Sequence, residues 1–458
     1  MATAPAQTRS MHGLVFASSV GTVIEWYDFF LYGSLAIFFA KLFYPPGEGV
    51  AATLISVATF ATGFAVRPLG SLIFGHLGDR FGRKVTFLST LLIMGCSTAA
   101  IGILPTFATA GYTAPVLLVS LRIIQGLALG GEYGGAATYV TEHSPPHERG
   151  KWASYIQAMA SGGFILSLGM VIGLRLSLGE TAFGDWGWRL PFLISIVLVA
   201  VSFRIRLRLH ESPVFVEMQQ NRQLSASPIR DTFAIPGNAR RIVTFLFGVA
   251  CAQAVTFYTA QFYALYFLQS VLKVAFLPAT LAVAAGAFLG LPFFVIFGAL
   301  SDRIGRKRLS LLGMAAAVVL YLPLFMLLRS AVHPDGITFL PVILTVFALV
   351  VIAALIYGPY GAFIVESFPA HVRYTSISIP YHIGNGIFGG FLPLISLSLV
   401  SRTGNVLSGL LYPVLVCAVG FVVTLICVPE TLPAGHDEKR QASSLSHTPL
   451  MPEPDQAA

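Results

Sequence analysis

Twelve long apolar segments, separated by short polar stretches, restrict the fold of this chain more than any other feature of its sequence. At 1.5 Å per residue, a helix of roughly 20 residues crosses the ~30 Å hydrocarbon core of a bilayer. Charged residues make up only 10% of the 458 residues, against roughly 25% in soluble domains. The sequence therefore predicts an all-α membrane protein with twelve transmembrane helices. The segments fall near 14–40, 52–76, 85–105, 115–141, 152–176, 190–209, 240–270, 277–299, 309–329, 338–365, 375–400 and 405–428.

The distribution of Lys and Arg predicts how the spans are oriented. When both chain ends are placed in the cytoplasm, 20 Lys and Arg fall in cytoplasmic loops or tails and six fall on the outer side. Such an excess is the usual orientation signal of helical membrane proteins. It also accounts for the net charge of +8 without a nucleic-acid partner. We expect a multi-pass protein of the inner (plasma) membrane with both termini in the cytoplasm.

An internal repeat divides the chain into two similar halves. The segment GHLGDRFGRK, which begins at Gly75, recurs as GALSDRIGRK 223 residues further on. A second motif, ExxPxHxR, begins at Glu142 and recurs 224 residues later. Two parallel halves with a substrate site between them near the membrane midplane are typical of transporters. The predicted parts are a cytoplasmic N-terminus (1–13), an N-terminal six-helix bundle (14–209), a cytoplasmic central loop (210–239), a C-terminal six-helix bundle (240–429) and a disordered cytoplasmic tail (430–458).

These motifs resemble those of the major facilitator superfamily. The GxxxDRxGRK pattern that begins at Gly75 is similar to the signature loop after the second span of that superfamily. The sequences EWYDF from Glu25, RPLG from Arg67, QGLALGGEYGG from Gln125 and ESPVF from Glu211 resemble its metabolite:proton symporters, which include α-ketoglutarate, citrate, shikimate and proline/betaine carriers. The resemblance covers about residues 14–430. It implies a proton-coupled carrier made of two pseudo-symmetric six-helix bundles.

Three acidic residues inside the apolar spans, Glu25, Asp28 and Glu132, are the candidates for proton coupling. A charge at the bilayer centre costs about 2.5–3.5 kcal/mol on insertion scales, so each acid needs a partner, a cavity or a proton. Glu25 and Asp28 lie three residues apart on one helix face, roughly 16 Å into the first span. The resemblance favours Asp28 as the coupling acid and Arg122 as its partner. A static ion pair, or a proton carried by Glu25, Glu132 or His382, stays open.

Two arginines inside the spans, Arg67 and Arg122, are the candidates for binding an anion. The planar guanidinium keeps its charge and matches the two oxygens of a carboxylate. One arginine is expected to hold the substrate and the other to pair with an acid of the first span. Gln125, three residues after Arg122, is a further candidate for substrate binding. For Arg67, packing within the motif that contains Pro68 is the alternative role.

The second half has no charged side chain inside its predicted spans before Glu366, so its candidates for substrate binding are neutral. Amide, hydroxyl and imidazole groups orient a ligand by hydrogen bonds without the cost of a buried charge. His382 is also a candidate for carrying a proton, because histidine titrates near neutral pH in water. The predicted substrate-binding set in this half is Gln253, Tyr258, Gln261, Tyr357, Tyr381, His382 and Asn385.

The repeated loops are predicted to act as gates between the halves. The aspartate in each copy can accept hydrogen bonds at a helix N-terminus, and the arginines are placed to bridge to Glu142, Glu366, Glu211 or Glu430. Such surface ion pairs are individually weak, but a network across two halves can favour one conformation. The predicted gating residues are Gly75, Asp79, Arg80, Arg83, Glu142, Arg149, Asp302, Arg303, Arg306, Glu366 and Arg373.

These features together indicate a secondary active transporter that takes up a small organic acid with protons. The expected substrate is a di- or tricarboxylate or a shikimate-like acid. A zwitterion such as proline or betaine is the alternative, and the apparent lack of a coiled-coil pattern in the tail weighs against it. An exporter or a uniporter of the same fold also stays open.

The chain is not expected to be an enzyme, because it contains no GxSxG, HExxH or nucleotide-binding motif. A non-transporting receptor is a further alternative, and it would need an additional domain. We predict no cofactor and no metal site. The predicted partners are a small-molecule substrate, protons and the lipid bilayer, and a monomer is the expected state.

Overall fold

The structure, a computed structural model, describes residues 11–45, 49–81, 83–131, 133–207, 228–334, 336–369 and 372–432. Some of the residues singled out in the sequence lie outside these ranges. Glu132, most of the predicted central loop and most of the tail lie outside the described residues, and so do the side chains of Asp79, Arg80 and Arg83. Gly75 lies within a described helix.

The helices form twelve membrane-crossing units, which we number as spans 1 to 12. The first six are span 1, Met11–Phe43; span 2, Gly49–Ala65 with Arg67–Phe81; span 3, Arg83–Gly102; span 4, Thr113–Leu129 with Tyr133–His143; span 5, Arg149–Asp185; and span 6, Leu190–Leu207. A short helix, Phe107–Ala110, precedes span 4, and the 3-10 turns Pro146–Glu148 and Gly187–Arg189 precede spans 5 and 6.

The second six spans are less regular. Span 7 alternates the α-helices Asn238–Phe245, Cys251–Tyr258 and Ala264–Tyr266 with the π-helical segments Leu246–Ala250, Thr259–Tyr263 and Phe267–Val271. The others are span 8, Phe276–Ile304; span 9, Arg306–Ser330; span 10, Phe339–Glu366; span 11, Arg373–Ile383 and Leu392–Thr403 with the π-helical segment Gly384–Gly389 between them; and span 12, Leu411–Cys427. The helix Pro228–Ala234 precedes span 7 and the 3-10 turn Ser408–Leu410 precedes span 12.

A two-stranded hairpin joins spans 9 and 10. The strands Val332–His333 and Gly336–Ile337 pair antiparallel, with Val332 opposite Ile337. Elsewhere in the described chain the membrane-crossing units are helical. Eleven helices are long and apolar enough to cross a membrane, and a twelfth apolar helix, Leu88–Gly102, is shorter. The predicted all-α fold is confirmed, and its physical cause is that lipid offers backbone groups no hydrogen-bond partner.

A break in span 2 sets the position of Arg67. Pro68 has no backbone N–H, and its ring collides with a carbonyl one turn earlier. The helix Gly49–Ala65 therefore ends and a new helix begins at Arg67. Around the break, the Gly70 N–H donates to the Val66 carbonyl over 3.0 Å. Arg67 is thus fixed at a kink, with its side chain fully buried.

Small residues let spans 5 and 8 pack closely, and this joins the two halves of the chain. A Cβ atom at Gly298 would collide with Ser154 of span 5, and one at Gly150 would collide with the Gly298 carbonyl. Small residues are the usual means by which membrane helices approach each other. Spans 2 and 11 also touch, since a Cβ at Gly386 would lie 2.7 Å from the Phe64 carbonyl.

The two ends of the bundle differ in the loops that they carry. One end, which we call the motif face, contains the two copies of the repeated loop, 75–84 and 298–307. The opposite face contains the turns that follow spans 1 and 7.

Candidate functional site

Span 4 holds Arg122 and Gln125 next to each other inside the bundle. Arg122 Nη1 donates to Gln125 Oε1 over 2.8 Å and to the Phe29 carbonyl over 3.2 Å. Gln125 Nε2 in turn donates to Thr98 Oγ1 of span 3 over 2.7 Å. This chain of hydrogen bonds fixes the orientation of a fully buried guanidinium. Its Nε and Nη2 have no hydrogen-bond partner among the described residues.

Arg67 lies among aromatic rings close to Arg122. Its Cζ is 4.1 Å from the ring centre of Phe64, 4.3 Å from that of Phe29 and 5.2 Å from that of Trp26. The Phe29 ring is also 4.3 Å from the Cζ of Arg122, so one ring contacts both guanidiniums. The three side-chain nitrogens of Arg67 make no well-formed hydrogen bond in the described part of the chain, and the Tyr258 hydroxyl makes a looser contact with the guanidinium. Aromatic faces stabilise a cation without accepting its N–H bonds, so these donors are available to an anion.

Glu25 and Asp28 lie on the side of span 1 that contacts the arginines. The two side chains are 4% and 1% exposed. Span 1 is helical through this region, so positions 25, 28, 29 and 32 share a face. From that face the Tyr32 ring contacts Arg122, with 4.8 Å between its centre and Cζ.

The partner that the sequence predicted for Asp28 is engaged elsewhere in this conformation. Among the ion pairs between described side chains, none joins Asp28 to Arg122. Arg122 Nη1 donates instead to Gln125 and to the Phe29 carbonyl. A pair between Asp28 and Arg122 would thus need a different conformation, and the role of Asp28 stays a prediction.

Spans 7 and 11 bring two of the predicted amides together. Asn385 Nδ2 donates to Gln253 Oε1 over 3.0 Å and to the Tyr381 carbonyl over 3.2 Å. Asn385 belongs to the π-helical segment of span 11, and such irregular turns are frequent at functional sites. Gln253 Nε2 has no hydrogen-bond partner among the described residues. The pair therefore retains a donor for a ligand.

Three tyrosines and a histidine of the second half are close to Arg67. Tyr258, Tyr357 and Tyr381 interact electrostatically with its guanidinium, and the hydroxyls of Tyr357 and Tyr381 are 3.4 Å apart. His382 is also near Arg67, and its ring nitrogens form no hydrogen bond to a described residue. The structure thus brings these four predicted residues to the same arginine.

Gln261 and a group of aromatic rings fill the space between the two halves. Gln261 Nε2 donates to Ser161 Oγ of span 5 over 2.7 Å, so this predicted substrate ligand joins the halves in the present conformation. The Phe262 ring is 5.0 Å from Phe30 of span 1 and 4.9 Å from Phe60 of span 2. The rings exclude water from the region of the arginines.

A stacked pair of tyrosines, which the sequence analysis did not identify, closes the space between spans 4 and 11. The rings of Tyr133 and Tyr381 have their centres 3.4 Å apart and are inclined by 5°. Gln157 Nε2 of span 5 donates to the Tyr133 hydroxyl over 2.9 Å. The sequence did contain a signal for this pair, because Tyr133 directly follows Glu132 in the QGLALGGEYGG motif that begins at Gln125.

At the motif face, Asp302 of span 8 binds the N-terminus of span 5. Its two carboxylate oxygens accept the backbone N–H groups of Gly150 and Lys151, each over 2.8 Å. A carboxylate at this position satisfies free donors and interacts favourably with the helix dipole. Arg306 orients this carboxylate, because its Nη2 lies 2.7 Å from Asp302 Oδ1 and 3.4 Å from Glu366 Oε1. The predicted contact between a repeated aspartate and a helix N-terminus is therefore present for Asp302.

Two other glutamates at this face, Glu142 and Glu430, also have partners among the described residues. Glu142 pairs with Arg373 across the halves over 2.8 Å, and the side chains of Arg80 and Arg83 lie outside the described residues. Glu430 accepts the backbone N–H groups of Arg306 and Lys307 over 2.8 and 3.1 Å.

Two predicted gating arginines make no such bridge. Arg303 is exposed and Arg149 is partly buried, and neither forms an ion pair with a described residue.

On the opposite face the two halves leave a cavity of about 850 Å³ between spans 1, 2, 7 and 11. Lys41, Tyr44, Gln269 and Lys273 are among its lining residues. The described contacts therefore hold the motif face together while the opposite face is open. Of the residues at the centre, Arg67, Arg122, Gln125, Gln253, Tyr258, Tyr357, Tyr381, His382 and Asn385 are all at least 98% buried.

Comparison with known proteins adds family information to this geometry. A family model described as Major Facilitator Superfamily matches residues 18–381. The inner membrane metabolite transport protein YhjE of Escherichia coli (strain K12) is 36% identical, over 86% of this chain and 89% of its own. The proline/betaine transporter of the same strain is 33% identical, over 91% and 83%. A putative proline/betaine transporter of Staphylococcus aureus (strain COL) is 31% identical, over 89% and 86%.

Solved structures share the fold at lower sequence identity. A crystal structure of a D-xylose-proton symporter superimposes with a TM-score of 0.72 at 19% identity, over 92% of this chain and 99% of that chain. An inward-open structure of the xylose transporter XylE from E. coli gives a TM-score of 0.66 at 19% identity, over 94% and 100%. These two structures support the architecture of twelve spans.

Proposed function

The chain belongs to the Major Facilitator Superfamily and is a secondary transporter, and we propose that it is a proton-coupled symporter for a small solute that carries a carboxylate. The first candidate is a zwitterion of the proline or betaine type, and the second is a small organic acid. Relatives named as proline/betaine transporters support the first candidate. We further propose an inner-membrane location with both termini in the cytoplasm, in line with the relative named as an inner membrane protein.

The observation that carries this proposal is the Arg67 guanidinium. It is fully buried, and its nitrogens make no well-formed hydrogen bond to a described residue; the Tyr258 hydroxyl makes a looser contact with it. Buried polar groups in proteins are hydrogen-bonded as a rule, and a guanidinium binds a carboxylate through two parallel hydrogen bonds. A substrate carboxylate would supply these acceptors, in a position where residues of both halves surround it.

The charges at the centre favour a substrate with one carboxylate. The described residues supply two guanidiniums, from Arg67 and Arg122, and two carboxylates, from Glu25 and Asp28. Once one acid takes up a proton, one positive charge is in excess, and it matches a single carboxylate. The cationic group of a zwitterion would then face the rings of Phe30 and Phe262, since aromatic faces attract ammonium groups.

The second candidate has its own support in the geometry. Arg122 keeps two nitrogens without a hydrogen-bond partner among the described residues. The Phe29 ring is 4.3 Å from the Cζ of both arginines. Two guanidiniums this close together suit a di- or tricarboxylate, whereas a shikimate-like acid would engage one of them through its single carboxylate.

The proposed cycle uses Asp28 as the acid that takes up the proton. With Asp28 protonated on the open side, both guanidiniums are available to the substrate carboxylate. The halves then rock about the contact between spans 5 and 8, and the motif face opens as Asp302 leaves the N-terminus of span 5. Loss of the proton on that side lets Asp28 pair with Arg122, which expels the substrate. Coupling requires that substrate and proton together favour the change, and that neither does so alone.

The test is a binding screen followed by transport. Purified protein would be heated with proline, glycine betaine, succinate, α-ketoglutarate, citrate and shikimate, and the melting temperature recorded. A solute that stabilises the protein would then be followed into proteoliposomes with an imposed pH gradient. We expect proline or betaine to stabilise it, uptake to stop when a protonophore collapses the gradient, and Arg67→Gln to abolish both effects. The control, Arg329→Gln at an exposed position of span 9, should behave as the wild type.

Three results would contradict the proposal. If no carboxylate stabilises the protein, the assigned substrate class is wrong. Uptake that is unaffected by the protonophore would indicate a uniporter. Net movement only out of the vesicle interior, with the gradient in the uptake direction, would indicate an exporter.

A further inference from the structure

The cavity at the opposite face has the features of a binding site. It lies between the two halves, and its volume of about 850 Å³ exceeds that of a small carboxylate solute several times. Lys41 at the end of span 1 and Lys273 just after span 7 line it from opposite halves. Among the described lining residues these two ammonium groups are the charged side chains, and they attract anions; Glu48, between the lining residues Pro45 and Gly49, lies outside the described residues.

Gln269, a third polar residue of the cavity, has a side-chain oxygen without a hydrogen-bond donor among the described residues. Gln269 is 9% exposed and lines the cavity. Its Nε2 donates to Thr280 Oγ1 over 3.3 Å, whereas its Oε1 is buried and has no hydrogen-bond partner among the described residues. A buried carbonyl oxygen without a donor is costly, and the N–H groups of an amino acid would satisfy it.

The backbone holds Lys273 in an unusual conformation. Its φ of 60° is the single positive value among the described residues other than glycine. Residues with a Cβ atom rarely adopt this left-handed region, and the strain persists only where the surrounding structure enforces it. The conformation fixes the direction in which the Lys273 side chain leaves the end of span 7.

Span 1 connects the cavity with the region of the central arginines. Ile37 and Ala40 line it, and Tyr32 is five residues before Ile37, roughly 7.5 Å further along the helix. The Tyr32 ring contacts Arg122. A solute in the cavity is thus one to two helical turns from the proposed substrate site.

We propose that this cavity is a separate outer binding site, in which Lys41 and Lys273 hold the carboxylate of an amino-acid-type solute and Gln269 Oε1 accepts its ammonium N–H. The inference rests on the proposed function, because it assigns to the same solute a first binding position before the central site. The outer site recognises the solute while the halves are apart, and it raises the solute concentration above Arg67.

A protection experiment tests the site without any transport step. The purified full-length chain would be treated with an amine-acetylating reagent, and the modification rates of Lys41 and Lys273 followed by mass spectrometry. We expect proline to slow both rates at least threefold and to leave Lys151, at the motif face, unchanged. Methylamine, which has no carboxylate, should protect neither lysine, and glycine betaine, which has no N–H, should protect them less than proline does.

The same experiment in Arg67→Gln separates this inference from the proposed function. Protection by proline that persists in this variant would show an outer site that does not depend on the central one. Protection that disappears in Arg67→Gln would assign the effect to a change of conformation upon central binding, and would overturn the inference. If proline protects both lysines but the wild type does not transport it, the proposed substrate fails and the outer site stands.

A transport experiment tests what the site contributes. In the double variant Lys41→Gln, Lys273→Gln we expect KM for proline uptake to rise roughly threefold to tenfold with kcat within about twofold, since hydrogen bonds to charged groups are lost before the central step. The double variant Lys41→Arg, Lys273→Arg should restore KM. Arg402→Gln, beside the cavity but outside its lining, is the matched control. An unchanged KM in the Lys-to-Gln double variant would contradict the assignment.

Discussion

The two halves of the chain carry the same repeated loop and six spans each, yet they supply different chemistry to the centre. Spans 1 to 6 contribute the buried charges, namely Glu25, Asp28, Arg67 and Arg122. Spans 7 to 12 contribute neutral amides and hydroxyls, of which Gln253 and Asn385 are hydrogen-bonded to each other. This difference supports the proposal that the first half recognises charge and proton, whereas the second half orients the solute.

The backbones of the two halves also differ, in how regular their helices are. Span 1 is a continuous helix where it carries Glu25 and Asp28. Span 7 contains three π-helical segments and span 11 contains one, Gly384–Gly389. A π turn rotates the side chains that follow it and changes the backbone hydrogen bonds. The second half therefore adjusts neutral groups by its backbone. The first half holds its charges on regular helical turns, except for Arg67, which lies at the break in span 2.

Replacing an arginine of the first half should have the largest effect. In Arg122→Lys, one ammonium cannot reproduce the hydrogen bonds to Gln125 and Phe29 together with a bidentate contact to the substrate. Hydrogen bonds to charged groups contribute about 1.5–3 kcal/mol each, so we expect initial uptake in proteoliposomes to fall roughly 100-fold. Arg67→Lys should fall similarly, while Arg329→Lys, at an exposed position, should not. A normal rate and pH profile in Arg122→Lys would contradict the division between the halves.

The second-largest effect should be on the coupling of solute transport to protons. Asp28→Asn mimics the protonated acid, so it should bind substrate and exchange labelled for unlabelled solute by counterflow at near the normal rate. It should lose accumulation against a gradient, which in a proton symporter amounts to about tenfold for each unit of pH difference. Glu25→Gln should be milder.

Other outcomes of this pair of variants would reassign the proton. Accumulation that survives in Asp28→Asn but is lost in Glu25→Gln would reverse the two roles. Survival in both variants would move the proton to Glu132 of the first half or to His382 of the second. With His382, the comparison between the halves would fail.

A smaller effect is expected at the motif face, where both halves carry the repeated aspartate. Asp302→Asn removes the charge that interacts with the N-terminus of span 5, and helix caps contribute about 0.5–2 kcal/mol. We expect a roughly tenfold slower uptake with unchanged binding in detergent, because the contact is far from the central site. Asp79→Asn is the matched variant of the other copy. A large loss of binding in well-folded protein would show that the loops do more than control conformation.

The smallest effect should come from the neutral groups of the second half. Asn385→Ala removes the hydrogen bond to Gln253, and a neutral hydrogen bond contributes about 0.5–1.5 kcal/mol, so KM should rise roughly twofold to tenfold. The ratio of protons to solute should not change, in contrast to Asp28→Asn. Asn405→Ala, at an exposed position on the opposite face, serves as the control. A changed proton ratio in Asn385→Ala would place coupling in both halves.

Several features of the site could be predicted from the sequence because each has a strong local signal. A charge inside an apolar segment is costly, so Asp28, Arg67 and Arg122 stand out without any structure. The repeat of ten residues identified Asp302 as a contact between halves, and the structure shows its two hydrogen bonds to span 5.

Other features carried no local signal. Tyr133 and Tyr381 are far apart in sequence, and only the packing of spans 4 and 11 stacks their rings. Glu142 binds Arg373 of the other half, a pair that the sequence did not indicate. The outer cavity involves Lys41 and Lys273, which in the sequence are merely two of the six positive charges expected on the outer side.

The sequence by itself determined the number of spans, because a lipid environment forces each apolar segment of about 20 residues into a helix. The family was indicated by the resemblance of the motifs. The sequence also determined which charges lie inside the spans. The tertiary structure decided which of these groups meet. Hydrogen bonds and ring contacts act over a few ångströms, and residues 132 positions apart, such as Gln253 and Asn385, come within that range only when the spans pack. The closed motif face and the open cavity follow from the same packing.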